Sequence, residues 1–173
     1  MNTTANKITM LRVILIPVFM VLAYLDLRIP AVIVFILASL SDLLDGYIAR
    51  HYNQISNFGK FMDPLADKML VLSCMCFLVE KGQMPGWVVA VILFREFAVS
   101  GLRLIAVERQ RVIAAAWSGK IKTTCTMVGL CFVLVFTQYD WLNMLVSAVI
   151  LITTVYSGIE YFMKNKDVFK DVD

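Results

Sequence analysis

The sequence predicts an all-α fold, a polytopic membrane bundle of six transmembrane helices, and three observations predict it. Of 173 residues, 60% are hydrophobic and only 17% charged, with a mean hydropathy of +0.78. A soluble domain carries about 45–50% apolar and about 25% charged residues. The apolar residues collect into six segments, roughly 10–25, 30–49, 58–80, 86–107, 120–138 and 141–162, near the roughly 20 residues that a spanning helix needs. Turn-forming and charged residues fall between them.

The first segment follows Lys7 with no small-residue cleavage pattern behind it, so it reads as a retained span rather than a signal peptide. Asp26 to Pro30 separates it from the second segment, and Pro30 stands where a helix can begin. The second and third segments are divided by His51 to Asn57, and the third and fourth by Glu80 to Pro85. Glu108 to Arg111 ends the fourth, and the short break Gln138 to Asp140 makes the last two segments a tight antiparallel hairpin. Without a repeat or a low-complexity tract, residues 1–173 read as one integral membrane domain.

Lysine and arginine set the orientation, because cytoplasmic loops carry the excess of both. Six spans put both termini on one side, with Lys7, Arg12, Arg50, Lys60, Arg109 and Arg111. Lys120, Lys122, Lys164, Lys166 and Lys170 fall there too, leaving Arg28 and Lys81 opposite. Both termini are therefore expected in the cytoplasm, with the protein in the cell membrane. The net charge of +3 shows no basic run or aromatic-basic platform for nucleic acid. The four cysteines (Cys74, Cys76, Cys125, Cys131) lie in apolar runs without metal-ligand spacing and read as small reduced hydrophobes.

The chemistry concentrates in residues 42–67, DLLDGYIARHYNQISNFGKFMDPLAD. On a helix Asp42, Asp45, Gly46 and Ala49 share one face, and Arg50 lies beside it. Asp63 and Asp67 share a face of the next segment, with Gly59 one turn earlier. Ionisable groups in spans are costly and usually line functional cavities, and four like charges repel without a counter-ion. Carboxylates without His or Cys suit Mg²⁺, Mn²⁺ or Ca²⁺ rather than zinc. Such a set can bridge two divalent ions around a phosphoryl group, and Arg50 adds a planar donor fork. His51, the only histidine, reads as an interfacial turn residue, so no Ser-His-Asp or Cys-His arrangement is available. Direct attack is expected, without a covalent enzyme intermediate.

The spacing D-x2-D-G-x2-A-R-x8-G-x3-D-x3-D, read from Asp42 to Asp67, resembles the signature of the CDP-alcohol phosphotransferase family, with every fixed position present. The resemblance implies a six-helix membrane enzyme, usually a homodimer, holding a CDP-linked substrate with two divalent cations, Mg²⁺ or Mn²⁺. It implies that Asp42, Asp45 and Asp63 are metal ligands and that Asp67 is both ligand and general base. Gly46, Arg50, Ser56 and Gly59 would then contact the CDP moiety, with Asn6 and Thr9 over the nucleotide.

The second substrate is addressed by FREFAVSGLR, in which Arg95, Glu96 and Arg103 stand inside an apolar run. Glu96 is placed to pair with a base on another segment. Lys120 and Lys122, in SGKIKTT, read alone as positive-inside anchors; with the two arginines they form a basic pocket for an anionic acceptor. The opening NKITMLRVILIP, FREFAVSGLR and GKIKT resemble the phosphatidylglycerophosphate synthase branch of the family. That likeness implies CDP-diacylglycerol and glycerol 3-phosphate as substrates. Alternatives are a sibling enzyme with another acceptor such as inositol phosphate, an Asp-rich membrane prenyltransferase, or an ion transporter.

Overall fold

The computed structural model describes residues 4–51, 57–108 and 116–166. Among them the chain forms six α-helices and no strand: α1 (Thr4–Tyr24), α2 (Arg28–His51), α3 (Asn57–Glu80), α4 (Gly86–Glu108), α5 (Trp117–Val135) and α6 (Asp140–Lys164). The expected segments match these helices to within two residues, except at the start of α1 and at both ends of α5. Helix α1 begins at Thr4, because polar Thr4, Asn6 and Lys7 continue the helix ahead of the apolar run. Helix α5 ends at Val135, where Phe136 leaves helical geometry and donates its N–H to the Phe132 carbonyl at 2.8 Å.

Tight turns join the helices at one end of the bundle. Between α1 and α2, Asp26 takes φ 59°, a left-handed conformation that Asp tolerates better than most residues. Between α3 and α4, Gly82 takes φ 72°, where a side chain would be strained. Tyr24 donates to Glu80 and Arg28 to Thr137, so the turns after α1, α3 and α5 are tied together. The opposite end therefore carries the C-terminal halves of α2, α4 and α6 and the N-terminal halves of α1, α3 and α5, which hold the acidic stretch.

The most extensive packing joins α1 to α2 and α5 to α6, followed by α1 with α3 and α4 with α6. The main core contains Phe19, Phe35, Leu70, Met75, Leu130 and Ile150, all without exposed surface or nearly so. Phe19 and Phe35 meet at 5.6 Å between centroids. Gly129 lets α5 approach α6; a Cβ there would stand 2.9 Å from Val146 Cγ1. Outward faces are apolar, including Ile14, Ile33, Phe94, Phe97 and Ile152, whereas Thr126, Asn143, Ser147 and Thr154 are buried. That distribution inverts the soluble pattern and suits a bundle surrounded by lipid. Among the described residues, α5 and α6 are long and apolar enough to cross a membrane.

Candidate functional site

The acidic stretch falls on two successive helices. Asp42, Asp45, Gly46 and Arg50 lie in the last turns of α2, and Gly59, Asp63 and Asp67 in the first turns of α3. Helices α2 and α3 pack against each other. The side chains of Asp42, Asp45, Arg50, Asp63 and Asn6, the surroundings of Gly46 and Gly59, and the whole of Ser56 lie outside the described residues. The helix assignments put both carboxylate pairs at the same end of the bundle, at the spacings that share a face. An all-oxygen donor set of this kind fits hard divalent cations.

Asp67 is half-buried and lines a cavity of about 1590 Å³. Arg95, Arg103, Lys120 and Lys122 line the same cavity, so the four cations predicted for the acceptor share a space with the predicted base. They come from α4 and α5, with α6 supplying partners. Arg95 Nη2 donates to Ser157 Oγ at 2.7 Å, and Arg103 Nε donates to the Tyr161 hydroxyl at 2.9 Å. Ser157 and Tyr161 are one turn apart on α6 and the arginines two turns apart on α4, so the long arginine side chains converge on α6 to reach them. The Arg103 guanidinium also lies 5.4 Å from the Tyr161 ring centroid, within cation–π range.

Glu96 joins α4 to α5. Its Oε1 accepts from Arg95 Nη1 at 2.9 Å and from Lys122 Nζ at 2.6 Å. The expected cross-segment partner of Glu96 is therefore Lys122. Lys122 is buried, with 8% of its surface exposed, and it lines the cavity beside the two arginines. Burial of an ammonium requires a paired anion, and Glu96 supplies it. Lys120 is different: it is exposed at the cavity rim, with its Nζ 5.0 Å from the Trp117 ring centroid.

Two further cations escaped the sequence reading as site residues. Lys68, next to Asp67, lines the cavity and donates to Ser100 Oγ, which itself donates to the Glu96 carbonyl at 2.7 Å. Its position directly after Asp67 was the available signal. Arg12, counted among the cytoplasmic loop charges, has no exposed surface: its Nε donates to Ser41 Oγ at 3.1 Å, one residue before Asp42. Thr9 is likewise buried on α1 and is not among the described residues lining the cavity.

Away from the charged wall the cavity becomes apolar. Phe35, Ile36 and Leu40 of α2 face Val128, Cys131 and Phe132 of α5. Ile36, Leu40, Val128 and Phe132 are also exposed on the outer surface of the bundle, so this part of the cavity opens sideways. One continuous space thus offers a carboxylate, a group of cations and an apolar extension.

A family model described as CDP-alcohol phosphatidyltransferase matches residues 2–156. A CDP-diacylglycerol--glycerol-3-phosphate 3-phosphatidyltransferase of Bacillus subtilis (strain 168) is 39% identical, covering 95% of this chain and 96% of its own. A protein of the same name in Escherichia coli (strain K12) is 35% identical over 89% of this chain and 90% of its own. A probable phosphatidylglycerophosphate synthase of Mycobacterium tuberculosis (strain ATCC 25618 / H37Rv) is 36% identical over 91% and 78%.

Proposed function

The chain belongs to the CDP-alcohol phosphatidyltransferase family, and we propose from that premise that it transfers the phosphatidyl group of CDP-diacylglycerol to glycerol 3-phosphate, releasing CMP. The observation that carries the assignment is the shared cavity: Asp67, Arg95, Arg103 and Lys122 line it together with an apolar extension. A phosphorylated polyol suits the cations, and acyl chains suit the walls formed by Phe35, Ile36, Val128 and Phe132.

Asp42, Asp45, Asp63 and Asp67 would hold two divalent cations, with Mg²⁺ the best fit and Mn²⁺ an alternative. Such a pair supplies charge neutralisation at the diphosphate. Gly46, Gly59, Arg50 and Ser56 form the seat for CDP, with Asn6 over the nucleotide. Thr9, the other residue expected over the nucleotide, is buried on α1 with 1% of its surface exposed. Arg95, Arg103, Lys120 and Lys122 bind the acceptor's phosphate and orient its hydroxyl.

Asp67 takes the hydroxyl proton as the acceptor oxygen bonds to the β-phosphorus. The bond from that phosphorus to the CMP oxygen breaks, and CMP leaves with the electron pair. Positioning and charge stabilisation provide most of the rate in phosphoryl transfer, so no covalent intermediate is needed.

The same reading makes residues 1–173 one domain of six spans that works as a homodimer in the cell membrane. The tied turns at one end and the cation-rich opposite end support placing both termini and the site in the cytoplasm. The burial of Arg12 removes one charge from that bias without reversing it.

The deciding experiment is CMP release by the purified protein with CDP-diacylglycerol, Mg²⁺ and a panel of acceptors. Glycerol 3-phosphate is expected to support turnover, whereas inositol phosphate is not. No response to glycerol 3-phosphate sinks the proposal.

A further inference from the structure

Glu96 stands out in the cavity because it has the wrong charge for an anion pocket. Among the described lining residues the cations are Lys68, Arg95, Arg103, Lys120 and Lys122, and the only carboxylates are Asp67 and Glu96. Asp67 has a role in the reaction proposed above. Glu96 has one oxygen committed: Oε1 receives both Arg95 and Lys122, while Oε2 accepts no hydrogen bond from the described residues. Its side chain retains 20% exposure, on the cavity wall.

An ionised carboxylate can only accept hydrogen bonds. A phosphate bound by the neighbouring cations cannot donate to it and is repelled by it. The acceptor group that can approach Oε2 is therefore a donor, and on a phosphorylated polyol that donor is a hydroxyl. We infer that Glu96 is a specificity-determining residue of the acceptor pocket: Oε1 holds Arg95 and Lys122 in place, and Oε2 receives the acceptor hydroxyl that does not react. This inference rests on the acceptor reading given above. It divides recognition between two features, with phosphate read by the cations and the polyol read by one carboxylate. A site built to bond a substrate hydroxyl discriminates against an analogue that lacks it.

The test compares glycerol 3-phosphate with 1,3-propanediol monophosphate, which keeps the phosphate and a primary hydroxyl but lacks the secondary one. The full-length protein is assayed for CMP release in mixed micelles, with KM for CDP-diacylglycerol and thermal melting measured in parallel. The wild type is expected to favour glycerol 3-phosphate by about tenfold in kcat/KM, the scale of one charge-assisted hydrogen bond. Glu96→Ala brings the ratio close to one and raises KM for both acceptors, leaving KM for CDP-diacylglycerol within about twofold. Glu96→Gln, which keeps the size and one acceptor oxygen for Lys122, also loses most of the discrimination.

An unchanged ratio in either variant overturns the inference, as does a wild type that treats the two acceptors alike. Loss of fold in both variants marks the bridge as structural and overturns it too. A wild type inactive with glycerol 3-phosphate fails at the earlier step, the acceptor assignment, and takes this inference with it.

Discussion

Arg95 Nη2 and Ser157 Oγ stand 2.7 Å apart, a hydrogen bond that fixes a cavity-lining cation of α4 against α6. Directly beside it, Gly158 leaves room for the arginine stem; a Cβ there would lie 3.0 Å from Arg95 Cγ. Helix α6 therefore shapes the cation-lined cavity mainly through what it holds from behind.

Gly158→Ala is expected to displace the guanidinium by a few tenths of an ångström and raise KM for glycerol 3-phosphate by about threefold. KM for CDP-diacylglycerol should stay constant. Equal changes in both would show general loosening of the bundle instead. Steady-state kinetics with each substrate varied in turn separates the two outcomes.

The Arg103–Tyr161 pair offers a graded comparison. Tyr161→Phe removes the hydroxyl that accepts from Nε and keeps the ring beneath the guanidinium. Its effect on kcat/KM for glycerol 3-phosphate is expected to be about threefold. Arg103→Ala removes the cation and should cost about tenfold or more. If the alanine variant matched wild type, Arg103 would have no part in acceptor binding.

Asp67→Asn keeps the shape of the side chain and removes its capacity to take a proton. CMP release should fall by about 10²–10⁴-fold, the range of general-base catalysis, while thermal melting in detergent changes little. Turnover near the wild-type level would remove Asp67 from the chemistry.

Chelation tests the donor set. Protein stripped with EDTA should lose CMP release, and Mg²⁺ or Mn²⁺ should restore it. Asp42→Asn and Asp63→Asn should each shift the Mg²⁺ activation curve to higher concentration. An activation curve that neither substitution moves would place the cation elsewhere.

Arg12 carries a stability prediction. Its side chain is fully buried and reaches Ser41 through Nε. Arg12→Ala is expected to cost about 2–3 kcal/mol, the scale of a lost charged hydrogen bond, read as a lower melting temperature in detergent. Lysine should not rescue it, because an ammonium lacks the planar fork.

Much of the helical frame was legible in the sequence because apolar runs and turn residues alternate clearly. Pro85, Gly82 and Asp26 mark breaks that local backbone chemistry alone can explain. The cation pocket was legible in part: a charge inside an apolar run, as at Arg95 or Arg103, needs a reason to be there. Its partners were not. Ser157 and Tyr161 look like ordinary residues of an apolar helix, and their role depends on contacts 62 and 58 positions away. Arg12 misled for the opposite reason, since an arginine near an N-terminus resembles a loop charge until Ser41, 29 residues on, is seen against it. Lys122 was placed in the pocket by the sequence but its burial was not legible, because only the approach of Glu96 makes that burial tolerable.

The sideways opening between α2 and α5 has an energetic consequence for a lipid substrate. Moving an acyl chain from a bilayer into water costs about 0.8 kcal/mol per methylene. Phe35, Ile36, Val128 and Phe132 continue an apolar path from the outer surface toward the charged wall. A lipid that enters this way brings its headgroup to Asp67 while its tails remain in oil throughout. The extraction barrier that a closed pocket would impose is absent, and the lipid product can diffuse away in the plane from which its precursor came.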